Sequence, residues 1–274
     1  MKTFLADLKQ NWKDRPFIWN ECEDVSLKKV RLPLSGRVLV LGPHPDDPET
    51  VAITCSLLMR SGCDIWYAIA SLSPSGVEDA YADRKPNPDS ISLKEKKRKI
   101  RRREQIQSAE RFGLPPDRLA FLGIDEDKQL ESPKNLAKVK DHLESVKPDI
   151  VMMPIGKDPN QTHSWVYRTF RKCAENLTRK TEKPIVALYN EDPKTIVIRK
   201  DLFVLFGEDR ADWKGALLKI HDSQQERNIH SRGMGFDERI LHMNHLSWKH
   251  LLENSPWPGS SAKYAEVFEI EVFD

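Results

Sequence analysis

Long hydrophobic runs, paired cysteines and a strong net charge are all missing from this chain of 274 residues. Its apolar stretches fall far short of the roughly 18 residues that a membrane span needs, so no span is expected. Met1 to Asn20 mixes Lys2, Asp7, Lys9, Lys13, Asp14 and Arg15 among apolar residues. With no apolar h-region there, no signal peptide is expected. Cys22, Cys55, Cys63 and Cys173 form no C-x-x-C pair and read as reduced, mostly buried thiols of a cytoplasmic protein. Lys and Arg number 44 against 42 Asp and Glu, a net charge of +2. That balance argues for neither nucleic acid nor a membrane surface as partner. No G-x-G-x-x-G or Walker loop occurs, so nucleotide binding ranks low. Ser56, Ser61 and Ser71 lack a nucleophile-elbow setting, which removes serine chemistry.

What is present is a soluble pattern of short apolar runs alternating with helical stretches, at a mean hydropathy of −0.60. Arg37-Val-Leu-Val-Leu41 lies between glycines and reads as a buried strand. Further strands are expected at Asp64–Ala70, Leu119–Leu122, Asp149–Met153 and Pro184–Tyr189. Helices are expected at Glu49–Arg60, Leu93–Phe112, Pro133–Val146 and Ser164–Arg179, and Ser71–Ser92 reads as a long loop. This alternation predicts an α/β fold, a Rossmann-like doubly wound and mainly parallel sheet with a C-terminal extension. After Tyr189 the pattern weakens. A helix over Trp213–Arg227 and a terminal strand over Tyr264–Phe273 are expected. The division expected is an N-terminal extension over 1–35 and a single domain over 36–274, less regular from about 200.

The sharpest local feature is Gly42-Pro-His-Pro-Asp-Asp-Pro-Glu49, directly after the first strand. In open α/β sheets ligands bind at that carboxyl edge, near the point where strand order reverses. Two adjacent carboxylates beside an imidazole repel and need solvation, a conflict that a divalent cation resolves. Neighbours in a tight turn point different ways, so one Asp can bind metal while the other stays free as a base. The plainer account is a proline-rich turn in which an Asp caps the next helix.

Asp158-Pro-Asn-Gln-Thr-His163 follows the fourth strand. In the strand order 3-2-1-4-5-6 the first and fourth strands are neighbours, so the loops of His44 and His163 face each other. Two His and one Asp leave a fourth position for water, as in a catalytic zinc site. Alone, His163 reads as a first-turn helix residue or a loop His held by a backbone carbonyl.

The stretch Pro43-His44-Pro45-Asp46-Asp47-Pro48-Glu49 resembles the signature of the PIG-L/LmbE-like family of zinc-dependent N-acetylglucosamine-conjugate deacetylases. Arg101-Arg-Arg-Glu104 with Ala109 and Gly113 is similar to the family's R-x-x-E helix, and Asp158 to His163 to its second metal loop. His221-Asp-Ser-Gln224 resembles its late H-x-S-Q segment, and Tyr264-Ala-Glu-Val-Phe268 its Y-A-E-x-F strand. The resemblance spans about Arg37 to Phe273. It implies that His44, Asp47 and His163 hold Zn2+, with Fe2+ compatible with the same donors. It implies Asp46 as general base, and Arg101 and His221 as substrate-binding groups. The implied partner is a small amino-sugar conjugate whose N-acetyl group is hydrolysed. A homo-oligomer is compatible with it, and no nucleic acid is expected. A family member that has lost turnover, acting as a carbohydrate-binding or regulatory protein, is the alternative.

Two departures from the family stand out. Asn160 occupies a position where many members carry His. Asn donates a hydrogen bond to an oxyanion but does not titrate, and it is taken as a catalytic candidate on that basis. Ile53-Thr54 stands where a Gly-Gly pair is frequent, so side chains there narrow any close backbone approach.

Other features read more plainly. The basic run Lys94–Arg103 lacks interleaved aromatics and is expected to be a solvated helix face. His230, His242, His245 and His250 fit no zinc spacing and are expected as loop and surface groups. Trp248 and Trp257 offer sugar-stacking faces, though packing is the commoner role for Trp.

Overall fold

The computed structural model describes residues 1–22, 30–87, 90–124, 130–254 and 261–274. The N-terminal stretch forms helix α1 (Lys2–Asn11) and strand β1 (Phe17–Asn20). The expected parallel strands follow as β2 (Gly36–Gly42), β3 (Cys63–Ile69), β4 (Leu119–Phe121), β5 (Ile150–Pro154) and β6 (Ile185–Asn190). Then come β7 (Leu202–Phe206) and β8 (Tyr264–Phe273). The described residues form one eight-stranded sheet in the order β1-β7-β8-β6-β5-β2-β3-β4. Its run β4-β3-β2-β5-β6 is parallel throughout, as the alternating pattern predicts. β8 lies antiparallel between β6 and β7. The stretch expected as an added extension supplies an edge strand, because β1 pairs in parallel with β7 and Trp19 is fully buried.

Helices cover both faces, which is why the central strands are apolar without alternation. Val38 and Val40 of β2 join one core with residues of α1, α2 (Ala52–Arg60), α4 (Leu93–Phe112) and α7 (Glu208–Leu218). Leu39 and Leu41 join the other with α5 (Pro133–Val146) and α6 (Gln161–Thr181). Full burial of each such side chain contributes about 1.5–3 kcal/mol.

Several expectations are corrected. The loop expected over Ser71–Ser92 contains a 3-10 turn at Pro74–Gly76 and a short helix α3 (Asp79–Asp83). The helix expected over Trp213–Arg227 is two helices, α7 and α8 (Asp222–Arg232). They break at His221, whose ψ of 61° is not helical. Strand β7 and helix α9 (Phe236–Asn254) fall where the periodicity looked weak. His230, His242, His245 and His250 therefore lie on helices rather than loops.

The basic run lies on α4 and is not one solvated face. Lys96, Lys97 and Arg101 are buried, Lys97 pairs with Asp79, and Arg102 covers the Phe121 ring. Trp248 packs on a core of β7 and β8 and stacks with His245, so its role is packing; Trp257 lies outside the described residues. The four cysteines are free thiols, three of them buried. No helix among the described residues is long and apolar enough to cross a membrane.

Candidate metal centre

The site begins where β2 ends. Gly42 turns the chain so tightly that a β-carbon there would lie 3.1 Å from the His44 carbonyl oxygen and from Pro48 Cδ. Asp46 adopts a φ of 95°, a region that non-glycine residues rarely enter and that is often held strained at functional sites. This kink sends the two aspartates opposite ways. Asp47 turns toward the imidazoles, with its Oδ2 3.9 Å from His44 Nδ1 and its Oδ1 3.9 Å from His163 Nε2. Asp46 turns toward α4, where Arg101 Nη2 donates to its Oδ1 at 2.9 Å. Asp47 makes no side-chain cap on the turn that follows, so the capping account of this motif is not what the chain adopts.

His163 stands in the first turn of α6, as its plainer reading expects, yet its ring reaches the same point. His163 Nε2 and His44 Nδ1 are 3.2 Å apart. Two imidazoles on one tetrahedral zinc place their nitrogens roughly 3.3 Å apart, given Zn–N distances of about 2.0–2.1 Å. His163 Nδ1 lies 2.8 Å from Asp158 Oδ2, whose side chain is fully buried. That contact orients the ring and leaves Nε2 for an ion, a common support for metal-binding His. His44, Asp47 and His163 thus offer three ligand atoms within 4.8 Å of one another, and Asp46 is not among them. The donor set fits a divalent cation.

The electrostatics agree. Burial pushes the Asp47 carboxyl up to about 6, against the pull of His163 and His44. Burial also opposes charge on His163, but Asp47 and Asp158 outweigh it and raise that imidazole to about 9. Buried carboxylates here demand positive charge between them, and a cation supplies it in place of a proton.

Behind Asp46 lies a shell of paired polar groups on α4. Glycine 113, with φ of 90°, ends this helix as its sequence predicts. Its buried face includes Arg101, Glu104, Gln105 and Ser108, spaced for one side of a helix. Arg101 also donates to the Pro45 carbonyl, and Gln105 Oε1 accepts from the Asp46 N–H at 3.1 Å. Gln105 and Ser108 both donate to Glu49, at 3.0 and 2.6 Å. Glu104 accepts from the Ser223 N–H and hydroxyl, which ties the R-x-x-E helix to the H-x-S-Q segment.

These contacts bear on two expected roles. Arg101 holds Asp46 and the Pro45 carbonyl, and it also lines the cleft beside His44 and His163. His221 is fully buried with Nε2 3.1 Å from Glu49 Oε2, and it presents no surface for substrate. Burial opposes charge on His221, but Glu49 outweighs it and raises its pKa. Burial likewise opposes the Glu49 anion, and His221, Ser108 and Gln105 outweigh it to hold Glu49 below its ordinary value.

Asn160 caps α6, its Oδ1 accepting from the Thr162 N–H at 2.9 Å and the His163 N–H at 3.3 Å. Its side-chain oxygen is spent on the helix, while its residue lines the cleft. At the Ile53-Thr54 departure the Thr54 hydroxyl donates to Glu266 of the Y-A-E-x-F strand, beside the backbone N–H groups of both residues and Lys214 at 2.7 Å; nothing comparable explains the Ile53 side chain.

Sequence reasoning assigned no role to Asp158, although it stands five residues before a candidate ligand. Nor did it single out Arg227, Arg232 and Arg239, which line the same cleft as the imidazoles. Nothing in their spacing betrays them, because α8 and α9 were not delimited correctly.

The chain matches the family model described as PIG-L: GlcNAc-PI de-N-acetylase over residues 39–174. No curated protein matches it. Its fold is similar to N,N'-diacetylchitobiose deacetylase from Pyrococcus horikoshii, with a TM-score of 0.64 and 17% identity, covering 86% of this chain and 83% of that one. It is similar to GalB, the 4-carboxy-2-hydroxymuconate hydratase from Pseudomonas putida KT2440, with a TM-score of 0.65 and 19% identity over 85% and 95% of the two chains. A deacetylase triple mutant of the teicoplanin biosynthetic pathway gives a TM-score of 0.59 and 14% identity over 87% and 99%. Such identities speak for the fold alone, since one fold carries several chemistries. The HPDD turn and the second His loop both lie inside the segment that matches the PIG-L family.

Proposed function

We propose that this protein is a metal-dependent amidohydrolase that removes the N-acetyl group from an N-acetylglucosamine-type conjugate. The observation that carries the reading is the convergence of His44, Asp47 and His163 while Asp46 is held aside by Arg101. A divalent cation, zinc by donor type, supplies charge that polarises the amide carbonyl and acidifies a water toward a pKa of about 7.

The residues do the rest. Asp46 is fixed at its carboxylate by Arg101 and at its backbone by Gln105, so one oxygen stays available to a water at the cleft. It takes the water's proton as the oxygen attacks the carbonyl carbon. The Asn160 amide group can donate to the oxyanion without losing its cap, because the cap uses its oxygen. Asp46 then returns the proton to the leaving nitrogen as the C–N bond breaks, giving acetate and a free amine. Asp158 keeps His163 in one tautomer throughout.

Metal analysis of the purified protein, followed by acetate release from N-acetylated sugars with and without chelator, tests the reading. Chelator-sensitive release of equal acetate and amine is expected. Sugar binding with bound metal and no acetate would favour the non-turnover binding protein. A protein that takes up no divalent ion would end the metal reading.

A further inference from the structure

The cleft has a floor, formed by the HPDD turn, His163 and the buried face of α4, and a wall on α8 and α9 that carries Arg227, Arg232 and Arg239. On the floor two chemically identical neighbours stand in different places. Asp47 joins the imidazoles, and Asp46 stands apart from them. The backbone sets that difference, and the backbone is held from α4.

The peptide unit between Pro45 and Asp46 is planar, so its carbonyl and its N–H turn together. Both ends are gripped by side chains four residues apart on one helix. Arg101 Nη2 donates to the Pro45 carbonyl, and Gln105 Oε1 accepts from the Asp46 N–H at 3.1 Å. The same Nη2 donates to Asp46 Oδ1 at 2.9 Å, so the plane and the side chain are tied to one point. With plane and carboxylate both pinned, the Asp46 φ stays at 95°. A non-glycine residue persists at such an angle only where its surroundings over-determine it.

The Gln105 amide could face this plane with either end, and Glu49 decides which. A carboxylate only accepts, so Glu49 Oε1 takes the Gln105 NH2 group at 3.0 Å beside the Ser108 hydroxyl at 2.6 Å. The amide oxygen is left for Asp46. Gln105 is fully buried, so bulk water does not replace a lost acceptor there. Gln105 is not among the residues that line the cleft, and any influence on the reaction passes through Asp46.

Resting on the deacetylase reading, we propose that Gln105 is a positioning residue. By clamping the Pro45–Asp46 peptide plane it keeps Asp46 off the ion and aimed as the base, and so gives the two aspartates their separate tasks.

Gln105→Leu keeps the bulk and removes the acceptor; Gln105→Met repeats the test should the Leu variant fail to fold. On zinc-loaded protein the substitution should lower kcat for acetate release at least tenfold, with KM within twofold of native and zinc content unchanged. Placed beside Asp46→Asn, the same substitution should cost less than threefold, because the two act as one unit. Hydrogen exchange at the Asp46 N–H, read by NMR on metal-free protein against the Thr50 N–H of the same turn, should quicken at least tenfold. A loss that persists undiminished beside Asp46→Asn, or one carried by KM, would make Gln105 a general support of the fold and overturn the proposal. Unchanged kcat beside quickened exchange would overturn it too, as would unchanged exchange whatever the activity. Quickened exchange in a protein whose native form releases no acetate would keep the clamp and sink the deacetylase reading.

Discussion

The floor and the wall of the cleft handle charge in opposite ways. On the floor every charged group named above has a partner. Arg101 holds Asp46, Glu49 is surrounded by Gln105, Ser108 and His221, and Glu104 is bound by Ser223. On the wall, three arginines rest on neutral acceptors. Ion pairs and hydrogen bonds fix the floor's geometry, although Arg101 Nε and His221 Nδ1 have no hydrogen-bond partner among the described residues, whereas the wall's guanidiniums line the cavity itself. The floor is built to hold one arrangement of atoms.

The largest expected effect breaks the floor at the reacting atoms. Asp46→Asn should retain bound metal yet lower turnover by about 10²–10⁴, the range ascribed to general acid–base catalysis. His163→Ala should instead lower the metal content itself. Elemental analysis beside acetate release separates the two, and equal metal loss in both would reverse the roles of Asp46 and Asp47.

Next comes the buried pair behind the floor. Glu49→Gln removes the countercharge of His221, and breaking such a pair costs about 3–5 kcal/mol. Denaturant unfolding should show the loss. Its pH dependence has a definite sign. The His221 pKa is raised above 6.5, so its contribution is complete below 6.5 and fades as pH rises through the raised value. The Glu49 pKa is lowered below 4.5, so its contribution is complete above 4.5 and fades as pH falls through the lowered value. The gap between native protein and variant should be widest between 4.5 and 6.5 and narrow on both sides. A gap independent of pH would mean that the pair is not charged.

The smallest effect separates the two uses of Asn160. Asn160→Ser keeps a capping oxygen and removes the amide donor, so stability should change by only a few tenths of a kcal/mol while turnover falls. Asn160→Ala should lose the cap as well, at about 1 kcal/mol. Equal turnover in the Ser variant and the native protein would leave Asn160 with its cap alone.

Much of this was legible along the chain. The apolar runs that became β5 and β6 and the core of β2 are buried on both faces, and continuous apolarity reports that condition directly. Loop placement then follows from strand order, which is why His44 and His163 could be brought together before any coordinates. The limits lay where identity depends on a tertiary partner. Arg101 and His221 occupy motif positions, but only packing shows that one faces Asp46 and the other Glu49. β7 reads Leu-Phe-Val-Leu-Phe, a short apolar run that length alone could not separate from a helix fragment. The Arg wall needed α8 and α9 to be placed before its residues could be seen as neighbours.

The sheet's strand order also orders events in time. β8 is the last strand along the sequence, yet it lies inside the sheet, and its Glu266 closes the start of α2, the helix that follows the HPDD turn. During vectorial synthesis the ribosome releases the HPDD turn more than two hundred residues before that carboxylate. Until β8 is made, therefore, β6 and β7 lack the strand that joins them and the start of α2 lacks its acceptor.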